Sequence, residues 1–77
     1  MARKLHVIAR EIDLDWKRPY FGAEPYLRAM RSLYDITDQF GDDPADEIVI
    51  YFLSNARTWK GATARRVKAE LKEMIKK

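Results

Sequence analysis

Cysteine is absent from these 77 residues, and histidine occurs once, at His6. Disulfide staples and thiolate metal sites are therefore excluded, and a zinc site would need carboxylates gathered around a single imidazole. His6 is expected as a surface or partly packed side chain. Glycine and proline number three each, too few for a flexible linker or a low-complexity tract. Long hydrophobic runs are missing as well. The longest, Ile48 to Leu53, falls far short of the roughly 20 residues that span a bilayer. The basic opening Met1-Ala2-Arg3-Lys4 is followed by no apolar h-region and no small-residue cleavage site. A soluble, cytoplasmic chain with no membrane partner is expected.

What is present is apolar content of 47% and a net charge of +3. That suffices for one modest core, worth about 3–5 kcal/mol net at this size, so a single helical domain over residues 1–77 is expected. Charge is unevenly placed. Residues 23–45 carry two cations and five acids, while residues 62–77 carry six cations and two acids.

Helical periodicity dominates, and no stretch alternates convincingly at period two. Leu5, Ile8, Ala9, Ile12 and Trp16 share one face of a first helix expected over about residues 3–16. Val7 and Leu14 lie on its opposite face, which leaves monomer and homodimer both open. Pro25 suits the first turn of a second helix, whose apolar face would run through Tyr26, Leu27, Met30, Leu33, Tyr34 and Thr37 to a stop at Phe40-Gly41. Asp43-Pro44-Ala45-Asp46 reads as the opening of a third helix, with Asp43 as cap and Pro44 in the first helical position. Its run Ile48-Val49-Ile50-Tyr51-Phe52-Leu53 covers every side of a helix. The fold expected is therefore all-α: a compact four-helix single domain with a central buried helix at about residues 44–58. A fourth helix starts near Thr63 and turns Ala64, Val67, Leu71, Met74 and Ile75 inward.

Chemistry-bearing constellations are scarce. Taking Gly41 as an EF-hand glycine places Ile36 and Phe40 where oxygen ligands belong, so the calcium motif fails. Ser32 and Ser54 have no glycine-rich elbow, and the lone histidine has no orienting partner pattern. No catalytic, cofactor-binding or metal-binding residue is assigned, and an enzyme is not expected. Helix three, Trp59-Lys60-Gly61 and helix four share the outline of a helix-turn-helix. Arg57 and Glu70, however, stand where that template wants a small and an apolar residue.

One surface pattern remains. Arg65, Lys68, Lys72 and Lys76 recur at three- and four-residue steps and form a cationic stripe, with Arg66–Glu70 and Glu73–Lys77 as ion pairs on the other flank. Aligned cations suit phosphate or an acidic protein surface. Lys17 and Arg18, in an irregular loop rich in aromatics, are the other candidate contacts. Within that loop Tyr20 and Phe21 are expected as a lid above Asn55 and Trp59, and Asn55 as a buried group bonded to the backbone of residues 19–23.

The strings Asp15-Trp16-Lys17, Tyr20-Phe21-Gly22-Ala23, Pro25-Tyr26-Leu27 and Ala29-Met30 form one motif. Tyr51-Phe52-Leu53-Ser54-Asn55-Ala56, Thr58-Trp59-Lys60-Gly61, Ala64-Arg65 and Lys68-Ala69-Glu70-Leu71 form a second. Together they resemble a group of small hypothetical proteins of actinobacterial and other Gram-positive phages, prophages and mobile elements. The resemblance implies genomic context and brings no catalytic residues; Arg18-Pro19 departs from it and stiffens the loop. The function expected is a non-enzymatic binding module that contacts a protein or nucleoprotein assembly through the helix-four stripe. The alternatives are a small protein acting directly on DNA or RNA, and an antagonist of a host defence complex.

Overall fold

A computed structural model describes residues 3–76 of the chain. They form α1 (Leu5–Asp15), a 3-10 turn (Phe21–Ala23), α2 (Glu24–Met30), β1 (Gln39–Phe40), β2 (Asp43–Pro44), α3 (Ala45–Ser54) and α4 (Ala62–Ile75). The architecture is mostly helical, with one very small antiparallel ladder that sets Gln39 opposite Pro44 and Phe40 opposite Asp43.

α1 follows its periodicity. Leu5, Ile8, Ala9 and Ile12 are fully enclosed, and Trp16 closes the same face. The helix stops at Asp15 because Trp16 takes an extended backbone, φ −97° and ψ 90°. No side chain caps its start. Instead the Leu5 and His6 amides donate to the carbonyls of Tyr34 and Leu33 at 2.7 and 2.9 Å. Orphan N–H groups of a first turn need such partners, and here a distant segment supplies them.

That long-range capping accompanies the main departure from sequence expectation. The second helix does not reach Phe40; α2 ends at Met30. The carbonyls of Leu33 and Tyr34 point into the start of α1 rather than along their own helix. Arg31 grips Asp13 through two bonds of 2.8 and 2.9 Å. Beyond it, the Asp38 carboxylate accepts the amides of Tyr34 and Asp35 at 3.2 and 3.0 Å, a local side-chain alternative to helix that aspartate favours. Leu33 stays buried, but Tyr34 and Thr37 face solvent. Gly41 does adopt positive φ, 63°, yet it serves the two-residue turn of the hairpin rather than a helix end.

α3 begins one residue later than expected, with Pro44 as its cap position rather than its first helical residue. Asp46 and Glu47 occupy the first turn, where the helix dipole favours negative charge. Ala45, Ile48, Val49 and Phe52 are buried, while Ile50 and Tyr51 are 44% and 50% exposed. The helix is thus buried along one side and open along the other. It packs on α2 and α4, and α1 packs on the same two helices.

The centre of the core is aromatic. Trp16 stacks on Trp59 with ring centroids 5.7 Å apart and an interplanar angle of 13°. Phe52 meets both edge-on, at 6.3 and 6.4 Å. Such pairs add about 0.5–1.5 kcal/mol each beyond their buried area. α4 then buries Ala64, Val67 and Leu71. Gly61 precedes it at φ 115° and ψ 179°, a conformation that side chains exclude.

Candidate anion-binding surface

The cations of α4 do not form one uniform row. Arg65 and Lys72 are exposed and have no ion-pair partner among the described residues. Lys76 pairs with Glu73 at 3.5 Å, and the expected partner of Glu73, Lys77, lies outside the described residues. Lys68 is different again. Its ammonium donates to the Trp59 carbonyl at 2.6 Å and sits 5.8 Å from the centroid of the Trp59 ring. Burial holds its basicity below the ordinary lysine range, and the positive charges of Lys72 and Lys60 push the same way.

Lys68 and Arg65 share a shallow concavity of about 360 Å³ with Arg57, Trp59, Lys60, Gly61 and Ala64. Every charged residue that lines it is a cation. Arg57 and Lys60 were not among the contacts expected from the sequence; α3 stops at Ser54 rather than near residue 58, so both lie in the connection before α4. The available signal was their position on either side of Trp59, whose indole is fixed by the core. Lys17 and Arg18 are exposed. They follow Trp16, which stacks on Trp59, so this second pair of cations leaves the chain from the same stacked rings that Lys60 follows.

Arg66 and Glu70 do not pair with each other. Arg66 bonds the Glu11 carboxylate, and Glu70 receives two bonds from Arg3, at 2.9 and 2.6 Å. Arg3 also reaches Glu11 at 2.8 Å. Hydrogen bonding to Arg66, then to Arg3, holds the Glu11 carboxyl below the usual range. The bond from Arg3 does the same for Glu70. This alternating quartet is structural, joining the segment before α1 to α1 and α4.

The aromatic loop is not the lid expected. Phe21 is 80% exposed and Tyr20 45%, with their rings 4.8 Å apart. Tyr20 does border a depression with Ser54, Asn55, Arg57 and Thr58. Phe21 cannot plug the core because the 3-10 turn directs Ala23 inward in its place. Asn55 is half-buried and donates to the Tyr51 carbonyl of its own helix at 2.8 Å, not to the loop backbone. The loop nevertheless comes close: a Cβ on Gly22 would fall 2.8 Å from the Asn55 Oδ1 and 2.6 Å from the Tyr20 ring. His6 is half-buried and lies 4.8 Å from the Tyr34 ring.

No helix among the described residues is long and apolar enough to cross a membrane. No protein-family model, curated protein or solved structure matches this chain.

Proposed function

We propose that this chain is a non-enzymatic binding module that docks on the anionic surface of a protein or nucleoprotein assembly. In this proposal it acts as a single domain organised around α3. Arg57, Lys60, Arg65, Lys68 and Lys72 make the contact, with Lys17 and Arg18 at its margin. The observation that carries it is the concavity before α4, lined by four cations and no acid. Lys68 is already weakened as a base, first by burial and then by the positive charges of Lys72 and Lys60, so an incoming carboxylate or phosphate relieves that repulsion as well as gaining its own contacts. Lys76 contributes less, because Glu73 engages it. An origin in a phage or mobile element rests on the sequence resemblance alone, and neighbouring genes test it.

The test is capture of partners on immobilised protein from cells that carry the gene. A specific partner, retained after nuclease treatment and lost in R65E/K72E, supports protein docking. Background proteins alone would count against it.

The second possibility is direct binding of DNA or RNA, favoured by the same clustering of cations. It predicts a gel shift at low salt that weakens steeply as salt rises, because neutralised phosphates release counterions. If neither labelled DNA nor RNA shifts at low salt, that possibility is finished.

A further inference from the structure

A second concavity, of about 360 Å³, opens where α2, the hairpin and α3 meet. Its chemistry is opposite to that of the basic one. The aromatic residues Tyr26, Phe40 and Tyr51 line it, together with the acidic residues Asp43 and Glu47. No cation lines it, and neither carboxylate has an ion-pair partner among the described residues. Tyr26 and Tyr51 lie with centroids 5.5 Å apart and planes inclined by 37°. Their placement is built into the fold. Tyr51 lies one helical turn beyond Glu47 on α3, Tyr26 belongs to the first turn of α2, and the ladder fixes Phe40 opposite Asp43.

Leaving such rings in water is not required by the core. Phe40 and Tyr51 are 44% and 50% exposed, although each sits beside buried neighbours, Ile48 and Ala29, in the same concavity. Aromatic faces attract organic cations through the ring quadrupole. Carboxylates at the rim add charge attraction and repel phosphate. The volume lies at the small end of ligand pockets, which span about 300–1,000 Å³, and matches one inserted side chain better than a cofactor. A flat guanidinium can lie on a ring face while its edge N–H groups reach a carboxylate, which an ammonium cannot do as well.

We propose that this aromatic–acidic concavity receives an arginine side chain presented by a partner protein. Asp43 and Glu47 hold the guanidinium edge, and Tyr26, Tyr51 and Phe40 supply the faces. The site is separate from the anion-binding surface in residues and in charge, so the two can be tested independently.

The experiment is an NMR titration of the full chain, reading the ring resonances of Tyr26, Phe40 and Tyr51. The probes are a short capped peptide with a central arginine, the same peptide with citrulline in its place, and tetramethylammonium chloride. The expected result is saturable movement of all three rings with the arginine peptide and affinity at least about fivefold weaker for the neutral citrulline peptide. Glu47→Gln and Tyr51→Leu should each weaken arginine binding about two- to fivefold, the range set by an exposed cation–π contact. Both positions face solvent in part, and thermal melts confirm that the variants fold. Equal binding of arginine and citrulline peptides overturns the proposal. So does tetramethylammonium binding as tightly as the arginine peptide, which would make this a site for small free cations. Ring shifts that depend on protein concentration alone would assign the groove to a second copy and also overturn it.

Discussion

Asp15 accepts the indole N–H of Trp59 at 2.8 Å, which ties the last residue of α1 to the connection before α4. Trp59 is at once stacked on Trp16, crossed by Phe52 and capped on its carbonyl by Lys68. It is the residue on which core and basic surface meet. Trp59→Ala should cost about 3–5 kcal/mol, comparable to the whole net stability of a domain this size, and leave the chain unfolded by circular dichroism. Asp15→Ala keeps the stacked rings but strands a buried indole donor. It should cost about 1–3 kcal/mol in urea denaturation.

Acid should weaken the fold through the Arg3–Glu11–Arg66–Glu70 quartet. Both carboxyls are held below the ordinary glutamate range by arginine hydrogen bonds. A group whose folded value is depressed stabilises above its unfolded value, and that contribution is lost as pH falls through the folded one. Stability should thus be level above about pH 5 on this account and decline from about pH 4.5 downward. The partly exposed side chains limit each pair to about 1 kcal/mol. Urea midpoints at pH 7, 5 and 3 measure the effect. Glu11→Gln should flatten the acid limb, and an unchanged slope would remove the quartet as its source.

The two glycines with positive φ should differ in their cost of replacement. Neither position would crowd a Cβ, since nothing lies within 4 Å. Backbone alone decides. Gly41, at φ 63°, lies in the left-handed region that other residues visit at about 1–2 kcal/mol. Gly61, at φ 115° and ψ 179°, lies in a region essentially reserved for glycine, at about 1–3 kcal/mol. Gly61→Ala should therefore lower the melting temperature more than Gly41→Ala. The reverse order would show that α4 can start without that kink.

Phe21→Ser should change stability by no more than about 0.5 kcal/mol, as for other surface substitutions, because Phe21 is 80% exposed. Denaturation of this variant separates a surface aromatic from the lid that its sequence context suggests. A loss of several kcal/mol would restore the lid.

How far the fold could be read from sequence depended on where each element's causes lie. α1 and α4 are governed by their own spacing: Leu5, Ile8 and Ile12, or Ala64, Val67 and Leu71, are enough to orient them. The end of α2 is not local. The Arg31 side chain reaches across to Asp13, and the Leu33 and Tyr34 carbonyls serve another helix, none of which leaves a periodic trace. The Glu11–Arg66 and Arg3–Glu70 bonds likewise displaced the nearer Arg66–Glu70 pair, because tertiary packing brought Glu11 to Arg66 and set Arg3 on both oxygens of Glu70. In the basic surface, Arg65, Lys68 and Lys72 were legible as helical steps. Arg57 and Lys60 join them only through the turn that Trp59 anchors.

The donation of the Leu5 and His6 amides to Tyr34 and Leu33 has a consequence for the order of assembly. A helix start ordinarily frays on its own, and its first amides exchange with solvent almost freely. Here those two protons are shielded only after residues 33–34 have docked, so in α1 as an isolated segment they would be left to water. Hydrogen exchange at Leu5 and His6 should accordingly keep pace with the slowest core amides, and loosening the Arg31–Asp13 clasp should release both together. The beginning of the first helix is a sensor of whether the middle of the chain is in place.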